Sequence, residues 1–144
     1  MDGSMIKARP YSAVLLALCG VIVSGIGLYF VFLRPALLPE DVRYIGSSLT
    51  NVEAALPHLA DWLHRVFAVM GGYMFTSGLL TVYVALTAFR RRDTGIRWVI
   101  TSAGLTSIGW MAVINFMIAS DFRWALLGIA LLWAIALAFY WLEL

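Results

Sequence analysis

Charge is scarce in this sequence. Only 12% of its 144 residues are charged, whereas hydrophobic residues make up 62% and the mean hydropathy is +0.90. Soluble domains carry charge on about a quarter of their residues. A globule of this length could not bury so much apolar surface, because small domains hide a limited share of their surface from water. The composition therefore predicts a membrane protein, in which lipid replaces water around most of the chain.

Cysteine and the motifs of common catalytic sites are also scarce or missing. The single cysteine, Cys19, lies inside an apolar run, which excludes an internal disulfide and a paired-cysteine redox site. The sequence has no phosphate-binding loop, serine-hydrolase elbow or zinc-helix motif. A net charge of +2 without a basic stripe argues against nucleic acid as a partner. We expect no cofactor and no resident metal, and an enzymatic function is disfavoured.

Four apolar stretches are long enough to cross a bilayer, for which a helix needs about 20 residues. They cover roughly residues 12–33, 66–89, 98–119 and 124–142, and none of them contains Lys, Arg, Asp or Glu. Helices satisfy all their backbone hydrogen bonds internally, as lipid requires. We therefore predict one all-α domain over residues 1–144, an integral membrane four-helix transmembrane bundle.

Basic residues predict how the chain is oriented. One side of the predicted bundle holds Lys7, Arg9, Arg90, Arg91, Arg92 and Arg97, and the other holds the more widely spread Arg34, Arg43, Arg65 and Arg123. Basic segments next to spans stay in the cytoplasm, so both termini are predicted to be cytoplasmic in a multi-pass protein of the cell membrane. A short anchor helix, a long outer loop and three further spans resemble the layout of small bacterial membrane proteins, which implies a bacterial inner membrane.

The predicted outer loop, residues 34–65, has short amphipathic patterns. After Pro39, a helix start is followed by apolar residues at helical spacing, and Gly46 weakens the end of this helix. Thr50 and Glu53 predict a capping box that begins a second short helix. At Pro57 either this helix kinks or a new helix begins, and in both cases we expect the helix of the second span to extend outward past the lipid as far as Pro57. We expect these helices to lie on the outer membrane surface or to cap the bundle.

Each predicted span carries small residues at spacings that allow close helix packing. They are Gly20, Ser24 and Gly27; Gly71 and Gly78; Ser102, Thr106 and Gly109; and Ala130, Ala134 and Ala138. One interpretation is packing within the bundle. The other is that one of these stripes, most plausibly the one on the fourth span, contacts a second subunit.

The main polar cluster comes just before the second span and consists of His58, Asp61, His64 and Arg65. In one interpretation this is a solvated helix end, where Asp61 pairs with Arg65. In the other it is the polar head of a ligand cleft on the outer side, where a histidine binds ligand or relays protons. A metal site built from His58, Asp61 and His64 is disfavoured, because these positions fan around more than half a helical turn.

Asn115 is the only strongly polar side chain inside a span. Such groups face the bundle, so Asn115 either makes an interhelical hydrogen bond or lines the floor of the outward-opening cleft. Trp110 and Tyr73 are candidates for the apolar wall of that cleft. A pocket with apolar walls and few polar contacts would suit a lipid or a quinone.

Three function classes follow from these patterns. The first is a non-enzymatic accessory or oligomer-forming membrane component, whose partners are membrane lipid and a second copy or another membrane protein. The second is a binder or enzyme for a hydrophobic small molecule, using the cluster and Asn115. The third is a pore formed by an oligomer, lined by Ser and Thr. The absence of charge within the spans disfavours an ion-coupled transporter.

Overall fold

A computed structural model describes residues 11–142 of the chain. Of these residues 84% are helical, and no strand occurs among them. The helices are α1 (Tyr11–Phe32), α2 (Pro39–Ile45), α3 (Leu49–Ala55), α4 (Leu59–Phe89), α5 (Ile96–Met117) and α6 (Arg123–Leu142). Within this range α1, α4, α5 and α6 are long and apolar enough to cross a membrane, which confirms the all-helical prediction with four such helices.

The long helices begin and end close to the predicted span limits, and α4 extends outward beyond its span to just after Pro57, as expected. This helix begins at Leu59, so it is 31 residues long and exceeds what a bilayer needs. The helical conformation is interrupted between Ala55 and Leu59. A new helix therefore begins after Pro57, and no single helix kinks there. Lys7 and Arg9, two of the predicted orientation determinants, lie outside the described residues.

The start of α3 differs from the predicted capping box. Ser48 is the N-cap residue: its backbone is extended, and its hydroxyl accepts a hydrogen bond from the Asn51 backbone N–H at 3.2 Å. Thr50 lies inside α3 instead. The reason is upstream, because Gly46 adopts a left-handed conformation (φ 68°) that ends α2 abruptly and lets the chain re-enter a helix at Leu49.

The helices pack in the order α4–α1–α6–α5, with α4 and α5 meeting mainly near the Arg90–Gly95 connection. We call the end of the bundle with this connection the arginine end, and the opposite end, which carries α2 and α3, the loop end. The fully buried apolar side chains concentrate toward the arginine end, where Leu16, Phe89, Ala136 and Tyr140 belong to one cluster. Helix α1 is central in this order, because it contacts both α4 and α6.

Glycines allow the backbones of α1 and α4 to touch. A Cβ atom on Gly71 would lie 2.6 Å from the Gly27 carbonyl oxygen, and one on Gly20 would lie 2.8 Å from the Gly78 carbonyl oxygen. Ser24 completes this interface, and its hydroxyl donates a hydrogen bond to the Phe75 carbonyl at 3.4 Å. The small residues predicted on the first two spans thus pack against each other within the chain.

The small residues of the other two helices are used differently. Gly104 makes room for α6, because the Trp133 indole lies directly on it. The Trp133 Nε1–H also donates to the Ile100 carbonyl at 3.1 Å. Several residues of the predicted small-residue stripes are exposed. They are Ser102 and Thr106 on α5, and Ala134 and Ala138 on α6. The buried face of α5 is instead formed by Ile100, Gly104, Ile108 and Ala112.

The glycine contact predicts a contrast between two neighbouring positions on α1. Gly27→Ala should lower the free energy of unfolding by about 1–3 kcal/mol, because its Cβ would overlap the α4 backbone. Gly25→Ala is the matched control, since nothing lies within 4 Å of its Cβ position, and it should be neutral or stabilising by up to about 1 kcal/mol. Thermal unfolding in detergent, followed by circular dichroism, measures both. Equal effects of the two substitutions would contradict the proposed interface.

Candidate functional site

The predicted polar cluster lies at the loop end, where α4 begins. His58 immediately precedes α4, and Asp61 lies in its first turn. The side chains of His58, Asp61, His64 and Arg65 are all exposed. Within residues 11–142 no hydrogen bond or ion pair joins Asp61 to Arg65, and no group of three His, Cys, Asp or Glu side chains is arranged to hold a metal ion. The structure therefore places these four residues on the exposed surface at the start of α4.

The other predicted cleft residues do not converge on this cluster. The Asn115 side-chain amide donates to the Met111 carbonyl of its own helix at 2.9 Å, rather than to another helix. Tyr73 lines a shallow groove of about 330 Å³ on α4, together with Gly72 and Thr76. Trp110 lines a separate groove of about 660 Å³ on α5. These residues lie on α4 and α5, which pack on opposite sides of the central pair α1 and α6.

A different set of polar side chains comes together at the loop end, and we call it the polar plate: Arg34, Glu40, Asp41, Arg43, Ser120 and Asp121. It begins with Arg34, which follows α1 and is only 8% exposed. The Arg34 guanidinium lies 3.5 Å from the centre of the Phe67 ring on α4, and it donates to the Asp41 carboxylate at 3.2 Å. The same group donates to the Pro35 carbonyl at 2.9 Å. Arg34 thus fixes the start of the loop onto α4.

Short helix α2 links this arginine to the turn between α5 and α6. Glu40 is 2% exposed, and its carboxylate accepts a hydrogen bond from the equally buried Ser120 hydroxyl at 3.2 Å. One helical turn later, Arg43 pairs with Asp121 at 3.2 Å, with both side chains exposed. Arg34 and Glu40 therefore tie the α1–α4 pair and the α5–α6 pair together across the loop end.

Local conformation explains why Ser120 reaches Glu40. Helix α5 ends at Met117, Ala119 then adopts a left-handed conformation (φ 52°), and the Ser120 N–H donates to the Asn115 carbonyl at 2.9 Å. The Ser120 hydroxyl in turn accepts from the Phe122 N–H at 3.2 Å. Asp41 stabilises the start of α2. Its carboxylate accepts a hydrogen bond from the Leu38 N–H at 2.9 Å and so caps the helix.

Part of the polar plate was visible in the sequence. The motif Pro39-Glu40-Asp41 marks a helix start, and a four-residue connection brings Ser120 and Asp121 to the same end of the bundle. The sequence around Arg34 and Glu40 gave no indication that these side chains are buried, because charged residues flanking a span are usually solvated. Their role depends on Phe67 and Ser120, which are distant in the sequence.

The arginine end carries a second concentration of polar and aromatic groups. Arg92 adopts a left-handed conformation (φ 60°) after α4, and its guanidinium donates to the Tyr140 carbonyl at 2.9 Å. Arg97, at the start of α5, places its guanidinium 4.4 Å from the centre of a Trp141 ring on α6. Arg90 and Arg91 are exposed, and Arg91 pairs with Asp93 at 3.4 Å.

Comparison of the chain with protein-family models, curated proteins and solved structures finds no match. The arguments about function therefore rest on the geometry described above.

The polar plate predicts unequal effects of two neighbouring substitutions. Ser120→Ala removes the hydroxyl that donates to the buried Glu40 carboxylate, and should lower the free energy of unfolding by about 1–3 kcal/mol. Asp121→Asn weakens only an exposed ion pair and should cost less than about 1 kcal/mol. Chemical unfolding in detergent measures both, and limited proteolysis between residues 34 and 58 reports loosening of the loop. A larger effect at Asp121 would show that burial of Glu40 is not what holds α2.

Proposed function

We propose that this protein is a multi-pass membrane component without enzymatic activity, which acts by packing sideways against a second copy or another membrane protein. The observation that carries this proposal is the uneven burial of the apolar helices. Only 17% of the most apolar 18-residue stretch of α4 is buried, compared with 33% for α1. Large apolar side chains on the uncovered side of α4 include Val69, Tyr73, Leu80 and Tyr83. Exposed apolar area on this scale is typical of surfaces that contact lipid or a partner.

The uncovered side of α4 also has a shape that suits a helix. Gly72 has open space around its Cβ position, and it lies with Thr76 in the groove beside Tyr73. Small residues at such a position let a partner backbone approach closely, which is how helices associate where lipid removes the hydrophobic driving force. Within the polar plate, Arg34, Asp41, Glu40 and Ser120 are engaged in holding α2, which supports a structural role for them.

A second candidate function rests on the Trp110 groove. Its volume of about 660 Å³ lies in the range of small-molecule sites, and its other lining residues are Leu105, Thr106, Gly109 and Val113. This groove would accept the apolar part of a lipid or a quinone. The pore alternative draws less support, because Thr106 and Ser107 donate their hydroxyl hydrogens to carbonyls of their own helix, as residues facing lipid do.

Location and orientation belong to the same proposal. Within residues 90–97 there are four arginines and one aspartate, whereas residues 34–65 and 120–123 together hold four arginines and five acidic residues. This asymmetry favours a cytoplasmic arginine end, and hence both termini in the cytoplasm of a cell, with a bacterial inner membrane as the expected location.

Lateral packing predicts an oligomer in a lipid bilayer. Native mass spectrometry of protein in nanodiscs should show more than one copy per disc, and Gly72→Leu should reduce this population by filling the α4 groove. Gly128→Leu is the control, because Gly128 is exposed on α6 with open space around it. Ala134→Leu tests the α6 stripe in the same way. A monomer under all conditions, with no co-purified membrane protein, would contradict the proposal.

The same spectra test the second candidate. A bound amphiphile that is lost in Trp110→Ala, while unfolding is unchanged, would favour the small-molecule site over lateral packing.

Orientation is tested by a reporter fused after Leu144. A phosphatase that is active only outside the cytoplasm should be inactive there, and a fluorescent protein that matures only in the cytoplasm should be bright. Replacing Arg90, Arg91 and Arg97 together by Gln should weaken this preference, because these residues supply most of the charge asymmetry. An active phosphatase at the C-terminus of the unmodified chain would contradict the proposed orientation.

A further inference from the structure

The four arginines of the arginine end are held in different ways. Arg92 serves the fold, because its guanidinium donates to the Tyr140 carbonyl at 2.9 Å and lies 4.7 Å from the centre of the Tyr140 ring. Arg91 is paired with Asp93, the one acidic residue between positions 90 and 97. Arg90 and Arg97 remain, and no carboxylate among residues 11–142 pairs with either of them.

Arg97 is held in place by aromatic rings instead of a carboxylate. Its guanidinium lies 4.4 Å from a ring centre of Trp141 and 5.4 Å from one of Trp98. Because Trp98 is near the start of α5 and Trp141 near the end of α6, the arginine is positioned at the arginine end of these two apolar helices. A guanidinium that stacks on rings keeps its N–H groups available at its edge.

The loop end provides an internal comparison. There Arg34 is buried against Asp41 and Arg43 pairs with Asp121, so two of its four arginines are compensated by carboxylates from their surroundings. At the arginine end, positive charge exceeds negative charge by a wide margin, with four arginines and one aspartate between residues 90 and 97. Trp98 and Trp141 are exposed at the same end, and exposed tryptophans favour the membrane interface. The excess positive charge beside them is complementary to negatively charged groups at a membrane surface.

We propose that Arg97, stacked on Trp98 and Trp141, binds the phosphate of an anionic phospholipid headgroup, with Arg90 as a second positive contact. The planar guanidinium presents paired N–H donors that match phosphate oxygens. The lipid's acyl chains would lie along the exposed apolar residues below, such as Val99 and Leu142. This site rests on the membrane insertion that we propose as part of the protein's function, but not on lateral packing.

The test compares two lipids that share acyl chains and differ in headgroup charge. Purified protein in neutral detergent is titrated with phosphatidylglycerol or with phosphatidylcholine, and bound lipid is counted by native mass spectrometry. We expect tighter binding of phosphatidylglycerol. Arg97→Gln and Arg90→Gln should each weaken it by about fivefold, the effect of one arginine near an anionic lipid. Arg97→Lys should restore only part of the affinity, because lysine keeps the charge but loses the planar donor pair.

Control variants separate a specific site from general electrostatics. Arg123→Gln removes one positive charge at the loop end and should leave phosphatidylglycerol binding unchanged. Inorganic phosphate at millimolar concentration should not displace the lipid, since it lacks the acyl chains. Equal binding of the two lipids, or equal losses in Arg97→Gln and Arg123→Gln, would overturn the headgroup site.

Failure of this site can be distinguished from failure of the proposed function. Carbonate extraction of cell membranes reports whether the chain is inserted. A chain that resists extraction but shows no preference for phosphatidylglycerol loses the headgroup site alone. A chain that is released into the supernatant loses both proposals.

Discussion

The contact between the backbones of α1 and α4 is the constraint on which the rest of the arrangement depends. Four glycines bring these helices together so closely that a single added methyl group at Gly27 or Gly71 would overlap the opposite backbone. In lipid, apolar side chains gain little by leaving their surroundings, so helices associate through dense packing of this kind. Because α4 occupies one side of α1 at such short range, the opposite side of α1 remains available for α6, and α1 becomes the central helix.

Polar and aromatic side chains join the helices at the two ends of the bundle, whereas the glycines join α1 and α4 along their length. The buried Arg34 and Glu40 hold α2 across the loop end, so that the α1–α4 pair is tied to the turn that joins α5 to α6. At the arginine end, Arg92 and the packing of Phe89 on Tyr140, with ring centres 4.5 Å apart, join α4 to α6. The buried charges of Arg34 and Glu40 are tolerated at the loop end because each side chain has a hydrogen-bond partner.

The sequence predicted what depends on composition and short-range spacing. Length and hydropathy gave four helices near their observed limits, and the spacing of Gly20, Gly27, Gly71 and Gly78 indicated their close packing. The cleft was a weaker inference, because it required α4 and α5 to face each other, and helical periodicity does not specify which helices are neighbours. Ser48 instead of Thr50 as the N-cap followed from the left-handed Gly46, which shortens α2. The partners of Arg34 and Glu40 are set by tertiary contacts alone.

The packing order also bears on function. With α1 in the centre, α4 and α5 lie at the edges of the bundle, and each has an uncovered apolar face that carries a groove. A chain that needed an internal cavity for chemistry would place its polar groups between helices, whereas here Asn115 bonds to its own helix and the polar side chains between His58 and Arg65 are exposed. Polar contacts at the ends and uncovered faces along the sides fit the proposed role, in which partners approach within the membrane plane and lipid headgroups bind at the arginine end.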